Sequence, residues 1–294
     1  MIFWLACLVA VVVVICWYGS NSVAFLRRSA ITTTPVDVGL PHESYELDCG
    51  DGVRLHGWLL RANQATGTIV LCHGHGSNRS GVLAFAHFLV RELNVLALDL
   101  RGHGESGGKG TSLGHLEADD VARVARDLEA RGLGPVGVLG YSMGAATAIV
   151  AAAREPLIRA VVADSPFVSL RAAIHSGMRC HGYPALLATI IAPGLALAVA
   201  VRLRFRPGAG DPERHVRLID RPLMLIHGAE DRYIPAHHSA RLSEVHGNCE
   251  LWLVDGAGHC GGHDCTGSEY EERVLAFFRN ALASEKSVLH LNAC

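Results

Sequence analysis

Gly140-Tyr141-Ser142-Met143-Gly144 decides how this chain is read. A short apolar run with strand character, Val136 to Leu139, precedes it, and an Ala-rich stretch with helix character, Ala145 to Ala153, follows it. A serine on a sharp strand-to-helix turn has its hydroxyl lifted clear of the sheet, which is what a nucleophilic serine requires. The flanking glycines let strand and helix approach where side chains would collide. Five residues of this kind can arise by chance, so the surroundings must carry the argument.

Upstream, Thr68-Ile69-Val70-Leu71-Cys72 reads as a buried strand and runs directly into His73-Gly74-His75-Gly76. Backbone N–H groups in such a loop can point at a developing oxyanion, together with the N–H of the residue after the nucleophile. This nominates His75 and Met143, both through backbone atoms. The plain alternative for a glycine-rich loop is a tight turn.

From about Tyr45 short strand-like runs alternate with helix-like stretches, which points to an α/β domain with a mainly parallel sheet. Tyr45 to Leu47 and Leu55 to Leu59 flank a Gly50-Asp51-Gly52 turn and read as an opening hairpin. Val95 to Leu98, Ala160 to Ala163, Leu223 to Ile226 and Leu251 to Val254 are further strands, with helices expected over Val82 to Leu93, Leu116 to Arg131 and Glu269 to Ala283. Between Ser165 and Asp220 the alternation stops. The uncharged run Tyr183 to Val201 is long enough for a membrane span. Pro193-Gly194 is expected to break it midway, and a span would place two halves of one sheet on opposite membrane faces. A short lid insertion, about 166–219, fits better.

Three further segments carry a family resemblance. Asp99-Leu100-Arg101-Gly102-His103-Gly104-Glu105-Ser106 resembles the segment after the fourth strand of the α/β-hydrolase superfamily. Leu225-Ile226-His227-Gly228-Ala229-Glu230-Asp231 resembles the stretch carrying that family's acid, and Asp255-Gly256-Ala257-Gly258-His259 its histidine loop. With the elbow and the His-Gly loop these motifs cover about Tyr45 to Ala283. The nearest group is the anchored, short-lidded serine hydrolases described as serine aminopeptidase-like or esterase/lipase-like. The resemblance implies an α/β-hydrolase fold: a mostly parallel eight-stranded sheet flanked by helices, here with a lid and an N-terminal transmembrane helix. It also implies Ser142 as nucleophile, Asp231 as acid and His259 as base, in the chain order of that fold.

The chemistry agrees. A serine hydroxyl needs a base to take its proton, and a carboxylate on the far ring nitrogen fixes the imidazole tautomer. Asp164 competes with Asp231 because it also follows a strand, and His263 is the fallback base. Asp99, Arg101 and His73 read as structural braces, and Glu230 as solvent-facing. The leading function is cleavage of a carboxylic ester or related acyl bond through an acyl-serine intermediate, on a small-molecule or lipid-like substrate. An aminopeptidase-like amide hydrolase and a non-catalytic binding protein on the same fold are the alternatives.

Half of the 294 residues are hydrophobic and 18% are charged, which supports a large core, and the net charge of -2 gives no reason to expect nucleic acid. Nine cysteines lie at irregular spacings, which does not suggest a disulfide framework. Cys260, His263 and Cys265 crowd together but match no common zinc spacing, so neither metal nor other cofactor is expected.

Ile2 to Tyr18 carries no charge and reads as a membrane anchor, with a cleaved signal peptide ending near Ser22-Val23-Ala24 as the rival. Arg27 and Arg28 follow it, which by the positive-inside rule puts the catalytic domain on the cytoplasmic face. The expected organisation is an anchor over 1–26, a linker over 27–44, a hydrolase domain over 45–283 and a C-terminal tail over 284–294. Every expected catalytic group lies at or beyond His73, so the anchor is expected to stand apart from the site.

Overall fold

The computed structural model describes residues 1–291. The chain opens with helix α1 (Ile2–Gly19) and a short helical turn (Asn21–Ala24). Strands β1 (Glu43–Asp48) and β2 (Arg54–Leu60) form the expected hairpin. Then follow β3 (Thr68–Cys72), α2 (Arg79–Ala86), β4 (Asn94–Asp99), α3 (His115–Ala130), β5 (Val136–Tyr141), α4 (Met143–Arg154) and β6 (Ile158–Asp164). The insertion carries α5 (Leu170–Cys180) and α6 (Ala185–Arg202), and the chain closes with β7 (Leu223–Gly228), α7 (His237–His246), β8 (Glu250–Val254) and α8 (Ser268–Leu291).

The eight strands form one sheet in the order β1-β2-β4-β3-β5-β6-β7-β8, antiparallel across β1-β2-β4 and parallel from β4 onward. Every residue of β3, β4, β5 and β7 is buried, because helices cover both faces. That is why these strands read as continuous apolar runs rather than alternating ones. Two core layers result, one between the sheet and α3 and α4, the other under α2 and α8. The loops after β3, β5, β6, β7 and β8 all leave the carboxyl edge of the sheet, where ligands bind in open α/β sheets.

Three expectations need correction. The helix expected over Val82 to Leu93 ends at Ala86, and a 3₁₀ turn (His87–Arg91) carries the chain on, which lets Phe88 and Leu89 join the same core layer as Val82 and Leu83. It also starts earlier, because the Asn78 side chain caps the Ser80 N–H at 2.9 Å. Pro193 does not break the lid run: α6 is continuous through it. One face of α6 packs inward through Ala188, Ile191, Leu195 and Val199, and this tertiary packing outweighs the hydrogen bond the proline removes. Finally, α1 does not stand apart. It packs along α6, with Cys16 buried, and its Ile15 and Gly19 line the cavity that Ser142 also lines. The last three residues of the expected tail lie outside the described residues; as far as Leu291 that segment continues α8.

Candidate active site

Ser142 follows β5 at φ 54 and ψ -112, backbone angles that a non-glycine residue adopts only when held there. Its N–H donates to the Asp164 carbonyl (2.8 Å) and its carbonyl accepts from the Ala146 N–H (3.0 Å). A Cβ on Gly140 would run into the Gly144 carbonyl, and one on Gly144 into the Cys72 carbonyl. The elbow is thus a close backbone contact between β5, α4 and β3, and it requires glycine at both positions.

Two of the nominated side chains converge on this serine. Ser142 Oγ donates to His259 Nε2 at 2.9 Å, and His259 Nδ1 donates to Asp231 Oδ2 at 2.6 Å. With a carboxylate at Nδ1 the ring proton sits there, which leaves Nε2 free as an acceptor. The other Asp231 oxygen accepts the N–H groups of Tyr233 (2.9 Å) and Ile234 (2.8 Å). Burial alone would raise the Asp231 carboxyl pKa. The hydrogen bonds from His227, His259 and the Ile234 N–H overcome it and hold the group well below the usual carboxylate range. Asp231 is therefore ionised at neutral pH.

Asp164 makes no bond to His259. Its oxygens accept from the hydroxyls of Ser165 and Tyr270, both at 2.9 Å, and burial pushes its pKa up. Ser165 in turn accepts the Cys260 N–H at 3.1 Å, so Asp164 braces the histidine loop from below. His263 stacks on Phe88 and bonds Glu271 at 3.4 Å, away from the serine, and Glu230 is exposed.

His75 and Met143 line the cavity in front of Ser142, and among the described residues no protein acceptor takes either backbone N–H. Met143 opens α4, so its N–H is one of the free donors at a helix N-terminus, where the helix dipole also favours negative charge. The loop after β3 is clamped by histidines. His73 Nδ1 donates to the Gly74 carbonyl (2.7 Å) while Nε2 accepts the Leu100 N–H (3.1 Å). His103 Nε2 accepts the Gly76 N–H at 3.2 Å. Burial lowers the pKa of both rings, that of His73 to about 3, which keeps them neutral and able to accept. Asp99 accepts from the Arg79 N–H (2.7 Å) and guanidinium (2.8 Å), and Arg101 pairs with Asp120 at 2.6 Å, the bracing roles expected for both motif residues.

The cavity over Ser142 has a volume of about 580 Å³, within the range of small-molecule sites. Its walls come from α5, α6, the Tyr233–Ile234 segment and, against expectation, from Ile15, Gly19, Ser22 and Val23. Among the described residues no carboxylate lines it. Sequence reading also missed His227, whose Nε2 donates to the Ile234 carbonyl (2.7 Å) and lies 3.2 Å from Asp231 Oδ2. Its position four residues before the acid, inside a buried strand, was the available signal.

Residues 63–204 match the family described as serine aminopeptidase, S33. The uncharacterized Bacillus subtilis protein YqkD is 31% identical over 241 residues, covering 78% of this chain and 76% of its own length. An uncharacterized membrane protein of Saccharomyces cerevisiae, YNL320W, is 25% identical over 48% of this chain and 51% of its own. Among solved structures, the Pyrococcus furiosus esterase Pf2001 superposes with a TM-score of 0.71 at 27% identity, over 87% of this chain and 99% of that one. This chain is a hydrolase of the α/β-hydrolase superfamily and belongs to the serine aminopeptidase-like S33 family.

Proposed function

We propose that the protein hydrolyses carboxylic esters through an acyl-serine intermediate, with Ser142, His259 and Asp231 as its catalytic triad. The observation that carries this is the unbroken chain Ser142 Oγ–His259–Asp231, at 2.9 and 2.6 Å, opening into an apolar cavity. Ser142 Oγ attacks the ester carbonyl as its proton passes to His259 Nε2, and Asp231 stabilises the imidazolium. The N–H groups of His75 and Met143 receive the oxyanion, where one such donor is worth about 2.7–4 kcal/mol. His259 returns the proton to the leaving alkoxide. It then takes a proton from water, whose oxygen attacks the acyl carbonyl, and gives that proton to Ser142 Oγ as the acyl–oxygen bond breaks and the carboxylic acid leaves.

The cavity wall favours esters over peptides with a free amino terminus, since among the described residues it offers no carboxylate to meet an ammonium group. The esterase Pf2001 is a neighbour in fold and sequence that supports the same choice. We further propose residues 1–26 as a membrane anchor, 27–44 as a linker and 45–283 as the catalytic domain, with its lid at about 166–219. The apolar residues of α1, from Ile2 to Tyr18, are largely exposed, which suits a lipid environment, and Arg27 and Arg28 favour a cytoplasmic catalytic domain.

A fluorophosphonate probe tests the chemistry. The wild-type protein should label on Ser142 and hydrolyse p-nitrophenyl esters, and Ser142→Ala should lose both. Labelling or hydrolysis that survives the substitution refutes the proposal.

A further inference from the structure

The N-terminal segment has no role in the chemistry above, yet it is built into the site. Cys16 is buried against α6, its thiol directed at the Ile191 carbonyl (3.8 Å). Small residues make this seam possible: a Cβ on Gly194 would collide with Cys16 Sγ, and one on Gly19 would sit 3.0 Å from Leu195. Arg202, at the end of α6, donates to the Trp17 carbonyl (3.1 Å) and to Ser20 Oγ (2.8 Å). Its guanidinium also lies 4.4 Å over the Phe25 ring. Ala24 is fully buried, and its carbonyl accepts the Thr111 N–H at 2.8 Å. Most telling, His75 Nε2 donates to the Val23 carbonyl at 2.8 Å. The N-terminal segment thereby holds the loop whose backbone is placed to receive the oxyanion.

Ile15, Gly19, Ser22 and Val23 form one wall of the cavity, and Leu187, Ile191 and Leu195 of α6 face them. The wall begins beside the oxyanion loop at Val23 and ends at Ile15, roughly 12 Å away at helical rise. Beyond Ile15 the outer surface is lipid-like, with Leu8 and Val11 of α1 exposed and Leu186 and Ile190 exposed on α6. A cavity between two such helices suits an amphiphile whose ester lies at Ser142 and whose hydrocarbon tail lies along α1.

Building on the serine-hydrolase reading, we propose that residues 15–25 are a wall of the substrate site that selects esters with a long acyl chain drawn from the bilayer. Ile15 and Ser22 then determine chain-length specificity from the far and near ends of the tail channel. Both side chains are exposed to the cavity or solvent, so enlarging them leaves the core intact.

The test uses the full chain in lipid nanodiscs with p-nitrophenyl acetate, octanoate and palmitate as probes. Ser22→Trp should lower the palmitate-to-acetate and octanoate-to-acetate ratios of kcat/KM by about tenfold or more, as expected when a hydrophobic pocket loses room for methylenes. Ile15→Trp should lower the palmitate ratio alone. Val9→Trp, on α1 but outside the cavity, should leave both ratios unchanged and so separates pocket filling from altered membrane insertion. Unchanged ratios in both Ile15→Trp and Ser22→Trp overturn the proposal, and so does an equal loss in Val9→Trp. If no Ser142-dependent hydrolysis of any probe occurs in the wild type, the serine-hydrolase reading itself has failed, an outcome distinct from hydrolysis with unaltered selectivity.

Discussion

Asp231→Asn and Asp164→Asn should differ in kcat by about three orders of magnitude, although both carboxylates end neighbouring strands. In the native site Asp231 Oδ1 accepts two backbone N–H groups and Oδ2 accepts from His259 Nδ1. An asparagine must keep its oxygen toward the Tyr233 and Ile234 N–H groups, because an amide donor there would face two donors. Its NH₂ then points at His259 and forces Nδ1 to accept. The ring proton moves to Nε2, the atom that must take the Ser142 proton. A wrong tautomer of this kind costs about 10⁴ in kcat, or roughly 5.4 kcal/mol of transition-state stabilisation. Asp164 instead accepts two hydroxyl hydrogens, and an asparagine can keep one while the other hydroxyl rotates. That loss is about 1–3 kcal/mol in stability, with kcat falling by about tenfold or less. Steady-state kinetics on p-nitrophenyl acetate, with thermal unfolding as the fold control, measures both. If Asp164→Asn proved the more damaging to kcat while still folded, the assignment of the acid would be wrong.

Two other perturbations probe the frame of the site. Gly144→Val should destabilise the protein by at least about 2 kcal/mol, lowering Tm by several degrees, since the new Cβ meets backbone carbonyls of Cys72 and His73 that cannot rotate away. Gly258→Ala, whose added Cβ has nothing within 4 Å, should shift Tm far less, and a comparable shift would refute the packing argument. The pH dependence of stability follows from the buried histidines. Their pKa values are lowered in the fold, so at pH below about 6.5 the unfolded chain binds protons that the folded chain does not. Stability contributed at neutral pH is then lost as pH falls toward about 3, the folded value for His73. His73→Gln keeps an acceptor for the Leu100 N–H but cannot titrate. Its stability should therefore fall less steeply between about pH 6 and about pH 4.5, by up to about 1.4 kcal/mol per pH unit, and parallel curves for the two proteins would exclude the mechanism.

The central sheet was legible because burial on both faces leaves unbroken apolar runs such as Ile69 to Cys72 in β3, and glycine-bearing loops punctuate their ends. The convergence of Ser142, Asp231 and His259 was legible for a related reason: each sits at a strand end on the same sheet edge, where sequence order and spatial proximity coincide. Where side chains serve local hydrogen bonds, the pattern weakened. α7 buries little beyond His238, Ser239 and Leu242, so no helical stripe announced it. His227 lies in β7, one residue past the strand expected from the sequence, and it matters to Asp231 through its position 3.2 Å from Oδ2.

The N-terminal segment was the hardest part to read, because hydrophobicity has several physical meanings and the sequence reports only their sum. A helix that is apolar all round gives no face to assign, and α1 is such a helix from Ile2 to Tyr18. Facing lipid, packing on α6 and lining a cavity all call for the same residue classes. What separates the three is size and the exceptions to apolarity. Cys16 and Gly19 are small where α6 comes close, and Gly194 is small in return. Ser20 is a fully buried hydroxyl, tolerable because Arg202 reaches it and the Trp17 carbonyl accepts from it. Val23 is ordinary by every compositional measure, yet its carbonyl holds the ring of His75. A pure tether would need none of these features, since a helix surrounded by lipid gains nothing from a gap for a neighbouring helix or from an arginine clamped over its last turn. Their joint presence within one stretch, Cys16 to Val23, ties the N-terminal helix to α6 and to the cavity over Ser142, and it becomes visible only once α6 is laid beside it.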